Sequence, residues 1–294
     1  MSAEPSGRAL AIGKFDALHL GHRALAERAA ALGAPLLLGF AGMAEVLGWP
    51  ARPPLLAPAE RARVLAAWSA QLPRPVAEVT LPFAAIRPLD AAAFVALVRT
   101  RCAARALVVG DDFRCGRGRA TSAQELVGLA AAQDVEVAIV PPVAWAGAPV
   151  SSSRVRQALA AGDLATVTGC LGRPYRVSGT VVRGDGRGRA LGVPTANLAE
   201  RPSADPAGGV YAAWAELDGR RLAAAVNVGH LPTVGAARPL TVEAHLLDWS
   251  GDCYDRILHL DLVARLRDER RFSGLEALKA QLALDIAAAR SALG

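Results

Sequence analysis

Residues 13 to 22, "GKFDALHLGH", place His19 and His22 three apart behind a glycine, where the apolar run "ALAIG" gives way to a helical pattern. If the helix begins near Leu20, both imidazoles project from its first turn, where exposed backbone N–H groups and the helix dipole favour an anion. Two rings at that place can donate hydrogen bonds to phosphate oxygens; they can equally be polar residues satisfied at a strand end. A second candidate anion site is "VSSSRVRQALAAGD", where Ser151, Ser152 and Ser153 precede a helix carrying Arg154 and Arg156. The alternative there is an ordinary N-cap with two solvated arginines. The third candidate is "GTVVRGDGRGRALGVPTANL". Its Gly184, Gly186, Gly188 and Gly192 let backbone amides approach phosphates closely. The Thr195 hydroxyl and the Asn197 carbonyl are hard oxygens suited to Mg2+. No G-x-x-x-x-G-K-[ST] stretch occurs, so this is not a Walker A loop; a long hairpin loop with a turn asparagine is the other reading.

The elements that must carry these groups come in two textures. Up to about residue 165, apolar runs alternate with Ala-rich helical patterns: "ALAIG" with "GHRALAERAAAL", "PLLLGF" with "PAERARVLAAWSA", "ALVVG" with "TSAQELVGLAAAQ", and "VEVAIV" with "SSRVRQALAAG". That alternation predicts βαβ units and a parallel sheet covered by helices. From Tyr175 the pattern turns to strands: "YRVSGTVVRG", "GVYAAWAELDGRRLAAAVNVG" with Asp218-Gly219 as its hairpin turn, "TVEAHLLDW" and "ILHLDLVARLR". A small antiparallel barrel is expected. A closing helix follows in "SGLEALKAQLALDIAAARSALG", where Ser273 and Glu276 have capping-box spacing and Leu275, Leu278, Leu282 and Ile286 form one stripe. The boundary is expected near "LGRPY", giving an α/β domain over 1–170 and a barrel with its C-terminal helix over 171–294.

Composition agrees with two folded domains. The chain has 294 residues, 52% of them hydrophobic, enough for two cores at about 150 residues per domain. The longest apolar stretch, Leu32 to Ala44, is interrupted by Gly33, Pro35, Gly39 and Gly42 and falls short of the ~20 apolar residues that span a bilayer. The N-terminus "MSAEPSGRAL" lacks the basic-then-apolar order of a signal peptide. A soluble, cytoplasmic chain without membrane partners is expected. Cys102, Cys115, Cys170 and Cys253 form no C-x-x-C pair, which argues for reduced thiols. The formal charge of +6 is carried almost wholly by arginine, since Lys14 and Lys279 are the only lysines. Arginines spread this evenly make no nucleic-acid surface; a phosphate-bearing small ligand suits them better.

The spacing Gly13-x-Phe15-Asp-x-x-His19-x-Gly21-His22 resembles the H-x-G-H nucleotidyltransferase superfamily, whose members transfer a nucleotidyl group onto a phosphate. "VVGDDFRCGRG" resembles the V-G-x-D-F-x-F-G stretch of one branch, the prokaryotic FAD synthetases, with Cys115 where phenylalanine is usual. The glycine-rich stretch ending in Pro194-Thr195-Ala196-Asn197 is similar to the signature of riboflavin kinase, and "GVYAAW", "NVGHLPTV", "VEAHLLDW" and "LRDERRF" follow in the order found in that family. The resemblance spans residues 8 to about 290 and implies a bifunctional riboflavin kinase/FMN adenylyltransferase: a Rossmann-like nucleotidyltransferase domain, then a β-barrel kinase domain. It implies riboflavin, FMN, FAD and ATP as ligands and Mg2+ as metal, and leaves the oligomeric state open. By the same resemblance Glu243 is the kinase base, Thr195 and Asn197 hold Mg2+, and Arg267 contacts flavin. Gly184, Gly186, Gly188, Arg189 and Gly192 form the flap over the kinase phosphates. On the adenylyltransferase side it implies that His19 and His22 act on phosphates, that Gly13, Phe15, Gly21, Ser151, Ser152, Ser153 and Arg156 bind ATP, and that Asp112 contacts flavin.

This sequence departs from the family pattern at Lys14, where a small polar residue is usual, and at Ala17, where glycine is usual. An alanine fits there only with negative φ. "FAGMAEVLGW", residues 40 to 49, replaces the F-x-P-x-P stretch. With "GKFDALH" it is similar to a branch that includes plastid FAD synthetases, which lack kinase activity, whereas the kinase motifs here are complete. Two other readings stand beside the bifunctional one: a riboflavin kinase with a non-catalytic N-terminal domain, and a flavin-binding or RNA-contacting protein without turnover.

Overall fold

A computed structural model describes residues 7–184, 186–229 and 240–294. They divide into two units, one running to Arg52 and continuing over Pro58–Ser151, the other comprising Pro53–Ala57 and Ser152–Gly294.

Along the first unit run β1 (Arg8–Ile12), α1 (Leu20–Leu32), β2 (Ala34–Ala41), α2 (Met43–Leu47), α3 (Pro58–Gln71), β3 (Ala77–Pro82), α4 (Phe83–Ile86), α5 (Ala91–Cys102) and β4 (Ala104–Gly110). The short ribbon β5 (Arg114–Cys115) and β6 (Thr121–Ser122) follows, then α6 (Ala123–Ala131), β7 (Glu136–Val140), and a second ribbon, β8 (Ala144–Trp145) and β9 (Ala148–Pro149). Five strands make one parallel sheet in the order β3-β2-β1-β4-β7. In β1, every residue but Arg8 is buried, as expected of a strand covered on both faces. Leu10 and Ile12 of β1 pack with Phe94, Val95 and Val98 of α5 and Leu126 of α6. The sheet has one strand more than the sequence alternation defines. β3 was not expected: "AEVTLP" is a half-exposed edge strand ending in proline, a weak pattern. Because β2 and β3 lie on one side of β1 and β4 and β7 on the other, the order reverses between β1 and β4. Such a reversal opens a crevice beyond the C-terminal strand ends, where α/β sheets bind ligands.

The second unit holds α7 (Ser152–Ala161), α8 (Leu164–Leu171), β10 (Tyr175–Val182), α9 (Arg187–Ala190), β11 (Ala196–Ala199), β12 (Gly209–Leu217), β13 (Arg220–Gly229), β14 (Thr241–Leu246), β15 (Ile257–Arg267) and α10 (Leu275–Leu293). Six antiparallel strands close a barrel in the order β10-β11-β14-β13-β12-β15. Leu258, Leu260 and Leu262 alternate inward along β15, as do Ala224, Val226 and Val228 along β13. The β12–β13 hairpin turns at Asp218-Gly219, both with positive φ (49° and 77°), the backbone a two-residue hairpin turn needs. The strand β11 begins within the P-T-A-N stretch, at Ala196. The helices α7 and α8 group with the barrel unit: Leu159, Val167 and Cys170 are buried, and the Ala207 N–H donates to Leu159 O at 3.0 Å.

The closing helix corrects the expected cap. Its N-cap is Gly274 with no side-chain capping bond, so Ser273 lies outside the helix and Glu276 instead pairs with Lys279 at 3.1 Å. The stripe is also rotated: Leu275 is 56% exposed, and the covered positions are Gln281, Asp285 and Ala289, while Leu278, Leu282 and Ile286 border a cavity.

Candidate active sites

Glu243 on β14 stands opposite Asn197 of β11 on one side and Asn227 of β13 on the other. Residues paired across antiparallel strands face the same way. Val242 and Ala244 beside Glu243 are buried in the barrel interior, so the carboxylate and both carboxamides share the outer face. The Thr195 hydroxyl, just before β11, donates to Glu243 Oε2 at 3.3 Å. Thr195, Asn227 and Glu243 border a cavity of about 280 Å3 whose lining also includes Gly188 and His245 with the apolar Phe272, Leu278, Leu282 and Ile286. His245 donates from Nδ1 to Pro194 O at 2.8 Å, since a carbonyl can only accept, and so pins the chain ahead of Thr195. The glycines permit close packing of the flap on this motif. A Cβ at Gly184 would collide with the Asn197 carboxamide, and one at Gly188 would strike Val193 O and lie 3.3 Å from Thr195 Oγ1.

Arg267 borders the same cavity with its guanidinium held. Nε and Nη2 donate to Asp285 Oδ1 and Oδ2 at 2.8 and 2.6 Å, and Nη1 donates to Asp268 O at 2.8 Å. Gln281 donates to Asp285 Oδ1 at 2.7 Å and accepts from Arg270. This explains the two polar residues buried on α10: the Asp285 carboxylate is 4% exposed yet fully bonded. A second cavity, about 250 Å3, is lined by Arg189, Pro194, Thr195, Ala196, Trp249, Cys253 and Tyr254 among others. The Arg183 guanidinium lies 4.4 Å over the Tyr254 ring. Thr195 borders both cavities.

In the first unit the turn after β1 is tightly determined. Phe15 has φ 50° and is fully buried, its carbonyl accepting from Arg61 Nη1 at 2.6 Å, while Arg61 Nε donates to Glu78 at 2.9 Å. A Cβ at Gly13 would lie 3.3 Å from the Phe15 ring. The left-handed residues are Phe15 and Leu18; Ala17 is not among them, so its methyl is tolerated. His19 is the N-cap of α1, and its Nδ1 accepts from the His22 N–H at 3.2 Å, which puts the proton of the neutral ring on Nε2. The two imidazoles stack at 3.6 Å and 13°, and the Phe15 ring sits 4.9 Å from His22. Both are buried, at 7% and 9% exposure. Gly21 leaves room for this stack: a Cβ there would lie 3.2 Å from the His19 ring.

The other expected residues are placed more loosely. Asp112 follows the end of β4, its Oδ1 close enough to Gly110 that a Cβ there would lie at 3.0 Å. Ser151 ends the first unit, Ser152 and Ser153 begin α7 in the second, and Arg156 on α7 donates to Pro53 O at 2.9 Å. Gly186 and Gly192 are left-handed. Cys115 packs against the apolar core of the sheet, and burial pushes its thiol up to about 11. Residues 230–234 of the "NVGHLPTV" stretch lie outside the described residues. Sequence reasoning missed Asn227, His245, Gln281, Asp285 and Arg61. A visible signal existed for Gln281 and Asp285, a polar pair at i, i+4 beside an apolar helix stripe.

Comparison with known proteins adds five findings. A family model described as riboflavin kinase matches residues 171–293, and one described as FAD synthetase matches residues 1–154. The bifunctional riboflavin kinase/FMN adenylyltransferase of Pseudomonas fluorescens is 36% identical over 98% of this chain and 94% of its own length. Chloroplastic FAD synthetase 1 of Arabidopsis thaliana is 38% identical over 73% of this chain and 65% of its own. A crystal structure described as a macrolide-efflux protein from Streptococcus pneumoniae superposes with a TM-score of 0.85 at 30% identity, covering 98% of this chain and 95% of that one. Among the described residues here, no helix is long and apolar enough to cross a membrane.

Proposed function

This chain belongs to the bifunctional riboflavin kinase/FMN adenylyltransferase family, and on that premise we propose how its own residues divide the two reactions. It phosphorylates riboflavin to FMN with ATP and adenylylates FMN to FAD with release of pyrophosphate. We assign the first reaction to residues 171–294 and the second to residues 1–170. The four cysteines are unpaired thiols, which suits a reducing compartment, and we place both reactions in the cytoplasm.

In the kinase reaction a ribityl hydroxyl of riboflavin attacks the γ-phosphorus of ATP, and Glu243 accepts its proton. The observation that carries this reading is the contact of Thr195 with Glu243 where two cavities adjoin: Thr195 borders both, and Glu243 borders the larger. The larger cavity, with its apolar helix wall, suits the flavin ring. The smaller suits the nucleotide, with Arg189 and the flap glycines over its phosphates. Arg267, locked to Asp285, shapes the flavin wall. The donor set fits Mg2+: a hydroxyl and a carboxamide oxygen beside one carboxylate, with no cluster of three or more His, Cys, Asp or Glu among the described residues to favour a softer ion. Thr195 and Asn197 would hold it. Bound there, Mg2+ supplies neutralisation of the phosphate charge that builds as the γ-phosphoryl group transfers.

In the adenylyl transfer the FMN phosphate attacks the α-phosphorus of a second ATP. This nucleophile is already ionised, so the site needs cations and hydrogen-bond donors in place of a base. His19 and His22 donate to the phosphates, His19 through Nε2–H, with Gly13, Phe15 and Gly21 fixing the turn. Ser151, Ser152, Ser153 and Arg156 bind ATP, and Asp112 contacts the flavin.

The test is direct. Purified chain incubated with riboflavin, Mg2+ and ATP is expected to yield FMN and then FAD on chromatography. FMN alone would mean a kinase with an inactive first unit, and neither product would overturn the reading.

A further inference from the structure

The pairing of β11 with β14 stops just short of Thr195. Ala196 faces Ala244, Asn197 faces Glu243 and Leu198 faces Val242; one more pair would set Thr195 opposite His245, and the next Pro194 opposite Leu246. Proline gives no N–H to a ladder, and the pairing ends before it. The Pro194 carbonyl still needs a donor. His245 supplies it from its side chain, Nδ1 donating to Pro194 O at 2.8 Å.

Along β14 the buried residues Val242, Ala244 and Leu246 alternate with Glu243 and His245, which therefore share the outer face. These two side chains hold consecutive residues of the neighbouring chain: His245 through Pro194 O, and Glu243 through the Thr195 hydroxyl at 3.3 Å. The flap rests on the same piece of chain. The Val193 N–H donates to Gly188 O at 2.9 Å, and a Cβ at Gly188 would lie 3.3 Å from Thr195 Oγ1. Residues 193–195 thus join the flap to the Thr195 hydroxyl, and they do so outside the paired part of β11. The segment also separates the two cavities: His245 borders the larger, Pro194 the smaller and Thr195 both.

We propose that His245 is a positioning residue for phosphoryl transfer, whose bond to Pro194 O holds Thr195 and the base of the flap in place. It acts through Pro194 and Thr195. The inference rests on the kinase reading of the barrel and adds to it the group that keeps Thr195 beside Glu243. A side-chain donor replaces the ladder bond that proline removes, so losing that donor releases the Thr195 hydroxyl and the flap together.

The experiment follows riboflavin phosphorylation by the full chain, with Mg2+–ATP and riboflavin varied separately. The variants are His245→Leu, His245→Asn, Thr195→Ala, and His245→Leu combined with Thr195→Ala. Leucine removes the donor; asparagine returns an N–H close to where Nδ1–H stood. His245→Leu is expected to lower kcat/KM for Mg2+–ATP by about 10–100-fold, the cost of displacing a positioned group by up to about 1 Å. His245→Asn should recover most of that loss. Because His245 acts through Thr195, its replacement should cost far less in a chain that already carries Thr195→Ala, so the two losses should fall well short of adding. Conversion of FMN to FAD should not move. Additive losses, no recovery by asparagine, or a loss confined to the KM for riboflavin would overturn the proposal. If the wild-type chain forms no FMN, the kinase reading itself fails; calorimetric binding of Mg2+–ADP then decides the role of His245 alone. Weaker binding by His245→Leu with recovery in His245→Asn supports it, and equal binding or no recovery overturns it.

Discussion

In the proposed division of the two reactions the barrel cavity and the histidine turn of the α/β unit each handle ATP phosphates, yet they are furnished with opposite chemistry. Around Glu243 stand a hydroxyl, two carboxamides and an apolar helix face, and the nearby Arg267 is already neutralised by Asp285. Around the β1 turn stand two stacked imidazoles, with Lys14 in the same turn over the Trp49 ring. The nucleophile explains the difference. A hydroxyl must lose a proton as it attacks, so its site keeps a carboxylate to accept that proton. A phosphate monoester arrives ionised, so its site needs only to gather positive charge and donors. The two regions also differ in assembly: Thr195, Asn197, Glu243 and Arg267 all lie within one folded unit, whereas the unit boundary falls inside the Ser151–Ser153 stretch.

The sharpest way to break this contrast is Glu243→Gln. It keeps the size of the side chain and most of its hydrogen bonds but removes the base, so riboflavin phosphorylation should fall by about 10²–10⁴. FMN supplied from outside should still become FAD at the normal rate. Unchanged phosphorylation would remove Glu243 from its role and the contrast with it.

His22→Ala is the counterpart, with an expected loss of about 10²–10³ in the conversion of FMN to FAD and phosphorylation nearly intact. The loss should lie in turnover more than in binding, because charge at the α-phosphorus is greatest in the transition state. A merely structural His22 would show otherwise: removal of a ring stacked on His19 and Phe15 would lower the melting temperature and leave FAD synthesis normal.

A smaller effect is expected where the barrel's cation is neutralised. Asp285→Asn leaves the Arg267 fork without its charged partner and should cost about 2 kcal/mol of stability in the second unit. At this size that is a melting shift of about 4–8 °C, read by thermal unfolding. The KM for riboflavin should rise, while FMN adenylylation stays unchanged. If the KM is unmoved, Arg267 shapes the fold and not the flavin wall.

Much of this was legible before the structure. The parallel sheet followed from apolar runs alternating with helical patterns, and the barrel from period-2 strands around Asp218-Gly219. The glycine–histidine turn and the P-T-A-N stretch stood out as motifs by residue type and spacing. What stayed hidden depends on distant partners. The edge strand β3 has too little buried surface to show a pattern. The Asp285–Arg267 pair joins residues 18 apart in sequence across a helix and a strand, and no local rule pairs them. The capping spacing of Ser273 and Glu276 misled because the helix starts after Gly274 and the glutamate had a nearer partner in Lys279. Lys14 looked like a lone departure until Trp49 was found beneath it.

The finest test of the α/β site is Gly21→Ala, because stability and activity should move in opposite directions. Gly21 is the second residue of α1, where replacing glycine by alanine reduces the freedom of the unfolded chain and favours the helix by up to about 1 kcal/mol. The added methyl, however, would lie 3.2 Å from the His19 ring, closer than a relaxed contact, so the ring must shift by a few tenths of an ångström. That ring is stacked on His22 and tied to its N–H, so both donors move together. Misplacement by 1 Å costs about 10²-fold in a positioned reaction, and a few tenths should cost about 3–10-fold. A chain that melts slightly higher and makes FAD several-fold more slowly, with FMN production untouched, would show that the histidine pair is held for chemistry. One that gains stability at full activity would show that the turn tolerates the shift and that the positions of the two rings are not critical.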